Sequence, residues 1–161
     1  MKKLNNNKKG FTLIELLAVI VILAILVMVA IPAVTKYLNA ARQGTFADNA
    51  QSAISAVRTD VIKNGLTKNT YSLSDINKLL EKKLKTSSFG SDYSENSYIT
   101  VTQTEEKDAQ NKGTGSYTYT YEICLADNAG HGLDNVEENI IKDTAVKMSG
   151  VTCETTSQTN P

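Results

Sequence analysis

From Leu16 to Ile31 every residue is aliphatic apart from Met28, and one carboxylate, Glu15, stands just before this run. Counted from Phe11 to Ile31, the apolar segment makes a helix about 30 Å long, the thickness of a bilayer's hydrocarbon core. A segment this long and this apolar is expected to span a membrane. Lys2, Lys3, Lys8 and Lys9 precede it, with no acidic residue before Glu15. Basic flanks stay on the cytoplasmic side, which places the rest of the chain outside. An ordinary secretory signal is the alternative, with cleavage at small residues after the apolar run. Ala30-Ile31-Pro32-Ala33 is a poor site of that kind, because it holds a proline and a β-branched residue.

The chain has 161 residues, enough for one folded domain beside one membrane segment. Its seventeen basic and seventeen acidic residues balance. The four leader lysines carry the basic character, so the exported body is acidic. Nothing in this balance implies a nucleic-acid surface, and none is expected as a partner. Outside the apolar run the sequence is rich in Thr, Ser, Asn and Lys, so the remaining core is modest. Two cysteines, Cys124 and Cys153, lie late in the chain. An isolated pair in an exported domain reads as a disulfide, with two buried free thiols as the alternative. A metal centre is not expected: His131 is the single histidine, and no Cys-x-x-Cys is present.

Gly10-Phe11-Thr12-Leu13-Ile14-Glu15 follows the short basic leader and opens the aliphatic run, with Pro32 at its end. This combination resembles the class III signal of type IV pilins and pseudopilins, and it covers about the first forty residues. The resemblance implies cleavage between Gly10 and Phe11 by a prepilin peptidase that also methylates the new Phe11 amine. It implies membrane storage, then assembly by a platform and ATPase machinery into a helical homopolymer. It further implies that Glu15 pairs with the Phe11 amine of a neighbouring subunit. The Lys, Asn, Thr and Ile bias is similar to that of low-GC Gram-positive bacteria such as clostridia.

Residue chemistry accords with this. Gly10 has no Cβ to obstruct a narrow protease site. Glu15 inside an apolar span costs roughly 2–3 kcal/mol on insertion, so it is a functional candidate. A free Phe11 amine, with a reference pKa of about 8, is its natural counter-charge. A pair within one chain is the local alternative, since the two residues lie one helical turn apart. Pro32 removes a backbone donor and clashes with the Met28 carbonyl, so a kink or local loss of helix is expected there.

Four segments follow: a leader at 1–10, a membrane or filament-core helix at 11–32, an amphipathic half of the same helix at 33–65, and a head at 66–161. Val34, Leu38, Ala41, Ala50, Ile54, Val57 and Val61 recur at helical spacing, and Asn64-Gly65 is a stop. Leu66–Tyr71 reads as a connector, and Ser74–Lys85 as a short helix whose Lys82, Lys83 and Lys85 form a solvated basic face, with contact to acidic partners as the alternative. Ser97–Thr104 and Ser116–Leu125 alternate as strands of an antiparallel hairpin with a long loop. Tyr117, Tyr119 and Tyr121 share one face of it, expected as a ladder covering the sheet, with stacking on sugars or bases as the alternative. A third strand is expected over Ala145–Glu154, bent at Gly150, and the tail from Thr155 is expected to be mobile. The acidic stretch Asp127–Asp143 reads as a turn plus helix capped by Asp134 and Glu137, with a calcium loop as the alternative.

The fold class is α+β: a long helix, apolar then amphipathic, packed against a small antiparallel sheet. No enzyme motif is present, and neither catalysis nor a cofactor is expected. The leading function is a type IV pilus subunit serving adhesion, motility or biofilm formation. The alternatives are a pseudopilin of secretion or DNA uptake and, from another class, a membrane-anchored ligand-binding module.

Overall fold

A computed structural model describes residues 10–154; the expectations for the leader before Gly10 and for the tail from Thr155 lie outside these residues. The first element is helix α1, Leu13–Asn64, with Glu15 in its first turn and Lys63 in its last. Both charges suit the helix dipole. The helix stops at Gly65, whose φ of +76° is the left-handed conformation that a glycine adopts without steric cost. Helical backbone continues through Pro32, so the expected local loss of helix is not seen. The Thr35 hydroxyl donates to the Ile31 carbonyl at 2.9 Å beside it.

The chain divides into two units, one ending at Asn39 and the other running from Ala40. In the first unit, no residue from Gly10 to Leu38 is buried. In the second, one stripe of α1 is buried: Phe46, Ala47, Ala50, Ala53, Ile54, Val57 and Val61. Val34, Leu38 and Ala41, placed on that stripe from spacing alone, are exposed instead. Phe46 begins the packed region and meets the rings of Phe89 and Tyr93, with centroids 6.0 and 5.3 Å away.

The second unit holds a four-stranded antiparallel sheet in the order β1-β2-β3-β4. Its strands are Thr70–Ser72, Tyr98–Lys107, Gly113–Ala126 and Gly132–Glu137. Side chains alternate across it. Ile99, Val101, Tyr121, Ile123 and Leu125 join Leu133 and the α1 stripe in the main core. Tyr98, Cys124 and Ala126 belong to a second cluster with Val151 and Cys153. The Cys124–Cys153 disulfide lies in that second cluster and ties the C-terminal segment to β3.

Helix α2 is Leu73–Leu79. It starts one residue before the expected Ser74 and stops well short of Lys85. Ser72 caps it: its hydroxyl accepts from the Asp75 N–H, and the Asp75 carboxylate accepts from the Ser72 N–H.

Three expectations are corrected. No strand forms over Ala145–Glu154: Asp143–Ala145 is a short 3-10 turn, Lys147 makes one bridge to Gly132, and Gly150 turns at φ +77°. The outer strand is instead β4, inside the stretch read as a turn plus helix. Asp127–His131 folds as a tight turn, and Leu133 and Val136 then pair back onto β3. Gly132 is required there, because a Cβ would overlap the Leu125 carbonyl. The connector, for its part, ends as strand β1, because Tyr71 lies opposite Ile99 and buries its ring.

Candidate functional site

The candidate site is the amino-terminal segment that carries Gly10, Phe11 and Glu15. Gly10 has open space where a Cβ would stand, and Phe11 is 92 % exposed. Thr12 precedes the first helical residue. Its N–H and its hydroxyl both donate to Glu15 Oε2 at 2.8 Å. The Glu15 N–H donates in return to Thr12 Oγ1 at 3.3 Å. This is a capping box, which satisfies backbone donors that the first helical turn leaves free. Sequence reasoning missed it, although Thr-x-x-Glu before an apolar run is its signature. Among the described residues Glu15 Oε1 makes no hydrogen bond, so one carboxylate oxygen remains for a further partner.

Beyond Glu15 the aliphatic side chains are exposed on every face of the helix, from Leu16 through Met28, at 76 %, to Ile31. The helix is long and apolar enough to cross a membrane. An apolar surface this large does not stay in water; it needs lipid or other helices around it.

The same residues match the family model described as the prokaryotic N-terminal methylation motif, over residues 5–31. The chain carries the class III signal of type IV pilins. That signal supports a pilin-type or pseudopilin-type precursor, implies processing by a prepilin peptidase and assembly, and points to a structural role. The long helix and four-stranded antiparallel sheet accord with the α+β pilin fold. No curated protein and no solved structure matches the chain.

Within the second unit the acidic stretch weighed as a calcium loop gives the Asp127, Asp134, Glu138 and Asp143 carboxylates to protein donors. The buried Asp127 carboxylate accepts from the Ser87 hydroxyl at 2.7 Å and from the Ala129 and His131 N–H groups at 3.0 Å each. His131 Nδ1 lies 2.9 Å from it, and the His131 ring stacks on Phe89 at 4.3 Å. Burial pushes this carboxyl up, but the bonds from Ser87 and His131 prevail and hold it below its usual range. Asp134 pairs with Lys147, and Glu138 with Arg58, whose guanidinium also lies over the Tyr121 ring. These acids close turns and fasten segments; they do not converge on a common point.

The tyrosine row is graded. Tyr121 is buried, Tyr119 is half-buried and Tyr117 is half-exposed. It covers the sheet at one end and leaves it at the other.

Proposed function

We propose that the chain is the structural subunit of a type IV pilus. It is held in the cytoplasmic membrane by its apolar helix with the C-terminal body outside, cut after Gly10, methylated at Phe11 and polymerised into a surface filament. On this reading residues 1–10 are the leader, 11–32 the membrane and later the filament-core segment, 33–65 the helical spine and 66–161 the head. The observation that carries it is the coincidence, on the same residues, of the methylation motif with a fully exposed aliphatic helix surface bearing one acid.

The lipid interior stores that surface before assembly, and neighbouring helices replace the lipid afterwards. Lipid tails are as apolar as leucine, so burial alone gives little preference for the filament. A polar contact is therefore needed to set position. Cleavage turns the Phe11 nitrogen from an amide into an amine that is cationic near neutral pH. Glu15 is already held by Thr12 through one oxygen and offers the other to the amine of a neighbouring subunit.

Mass spectrometry of the exported protein tests the reading. The expected N-terminal residue is Phe11, carrying one methyl group. A mature chain that begins at Met1 or after Ala30 overturns it. Long filaments sheared from the cell surface distinguish a pilus subunit from a pseudopilin, which builds a short piston.

A further inference from the structure

Strands β2 and β3 continue well past their neighbours. β1 pairs with β2 only at Tyr98–Thr100, and β4 pairs with β3 only from Glu122 onward. Beyond those points Thr102–Lys107 and Gly113–Thr120 form a two-stranded ribbon, and among the described residues no further strand pairs with either edge. Both of its faces are open: every residue from Thr102 to Thr120 is exposed except the half-buried Tyr119. A lone two-stranded ribbon is at best marginally stable in water. This one is held by its own cross-strand contacts, such as the Thr118 hydroxyl on Glu106 and the Thr114 hydroxyl on the Glu106 carbonyl. Its outer part carries Glu105, Glu106 and Asp108 against Lys107 and Lys112. Asp108 is committed to the loop, where it accepts from the Gln110 and Lys112 N–H groups. Glu105 and Glu106 are in no ion pair among the described residues.

Lysines lie at the other end of the sheet, next to an exposed Glu81. Lys82, Lys83 and Lys85 are exposed and likewise in no ion pair among the described residues. Their position is fixed by bonds: the Lys85 carbonyl accepts from the Tyr93 N–H, and Tyr93 bridges to Asp127 just past the end of β3. At the same end the Leu73 N–H, which opens α2, donates to the Ser97 carbonyl just before β2. From Tyr98 to Lys107 the strand runs about 30 Å, so the two groups of charges do not meet within one molecule.

We propose that the ribbon is a docking arm for a second copy of this chain, its Glu105 and Glu106 seated against the partner copy's Lys82, Lys83 and Lys85. Two complementary patches at opposite ends of one sheet make a head-to-tail contact, the kind that builds open filaments or rings and not closed dimers. The proposal rests on the polymer reading above and adds to it a contact between heads that does not involve the apolar helix.

A charge-swap series in the full chain tests it, in cells that carry the assembly machinery. The acidic variant is Glu105→Lys with Glu106→Lys, and the basic variant is Lys82→Glu with Lys83→Glu. Sheared filaments are counted, while membrane-bound protein beginning at Phe11 is measured in parallel. Each double variant is expected to keep normal processing and to lose about tenfold in filament yield, because it sets like charges against each other. Carrying both pairs in one chain is expected to restore yield to within about twofold of wild type. Unchanged yield in either double variant overturns the contact, as does a combined variant that stays as defective as its parents. Processed wild-type chain that never forms filaments overturns the polymer reading, and the contact with it.

Discussion

On the proposed reading Glu15 carries two tasks. Its backbone and one carboxylate oxygen close the first turn of α1 with Thr12, and its charge, which suits the helix dipole but is costly beside an aliphatic span, is better compensated when a cation meets it. Glu15→Ala is therefore expected to leave membrane insertion and leader cleavage intact and to reduce sheared filaments strongly, with Glu15→Asp intermediate. Normal filament yield from Glu15→Ala leaves only the cap. Asp75 is a simpler case. Lys68 beside it, with Ser72 also donating, holds its carboxyl at about 2 against the contrary effect of burial. A folded-state value below the ordinary 3.8 means stability that is fully present above that pH and lost as pH falls toward 2. Asp75→Asn should cost about 1 kcal/mol at neutral pH, a modest figure because the pair is partly exposed. Urea midpoints of the two proteins, compared from pH 7 down to 3, should converge in acid.

Among the elements, β4 and the C-terminal segment depend on long-range ties. The segment after β4 is fastened to α1 by polar side chains: Gln43 and Gln51 donate to the Val146 and Ile141 carbonyls, and Arg58 pairs with Glu138. Farther on, Cys153 is fixed to Cys124 across 29 positions of sequence. In the loop-entropy view a ring of that size contributes roughly 3–4 kcal/mol. Cys124→Ser with Cys153→Ser should lower the melting temperature of the folded body. Hydrogen exchange should then rise first at Val151–Glu154 and along β3 and β4, while the Phe46–Val61 part of α1 stays protected. Equal loss of protection in α1 would show that the bond holds the whole body and not its C-terminal half.

Across the whole molecule, every buried residue among those described lies from Phe46 onward. A chain beginning at Ala40 therefore keeps the complete core and lacks the aliphatic run. It is expected to be soluble without detergent, monomeric at micromolar concentration, and to form the Cys124–Cys153 bond. Gel filtration and thiol titration check this. Aggregation of that fragment would mean that the core needs residues before Ala40.

The amino-terminal segment was legible from sequence because its signal is local. Length, hydropathy and the Gly10–Phe11 motif are read from adjacent residues or from a uniform solvent, so no distant contact within the chain alters them. The inner part of the β2–β3 hairpin was legible for a similar reason, since alternation of apolar and polar residues is its own record. The long loop expected between the strands is only residues 108–112, because Glu105 pairs with Tyr117 and Lys107 with Gly113. The remainder depended on contacts between positions far apart in the chain. Val34 and Phe46 both fit a helical stripe, and only the rings of Phe89 and Tyr93 select Phe46 for the core. Ala145–Glu154 has strand-forming residues but finds no long edge to pair with, whereas Gly132–Glu137, poor in such residues, finds β3 through a tight turn. Strand formation is a property of the partner as much as of the segment, because the ladder's hydrogen bonds need both. The tertiary structure alone decided which of them took that edge, and with it how far β2 and β3 reach beyond the sheet.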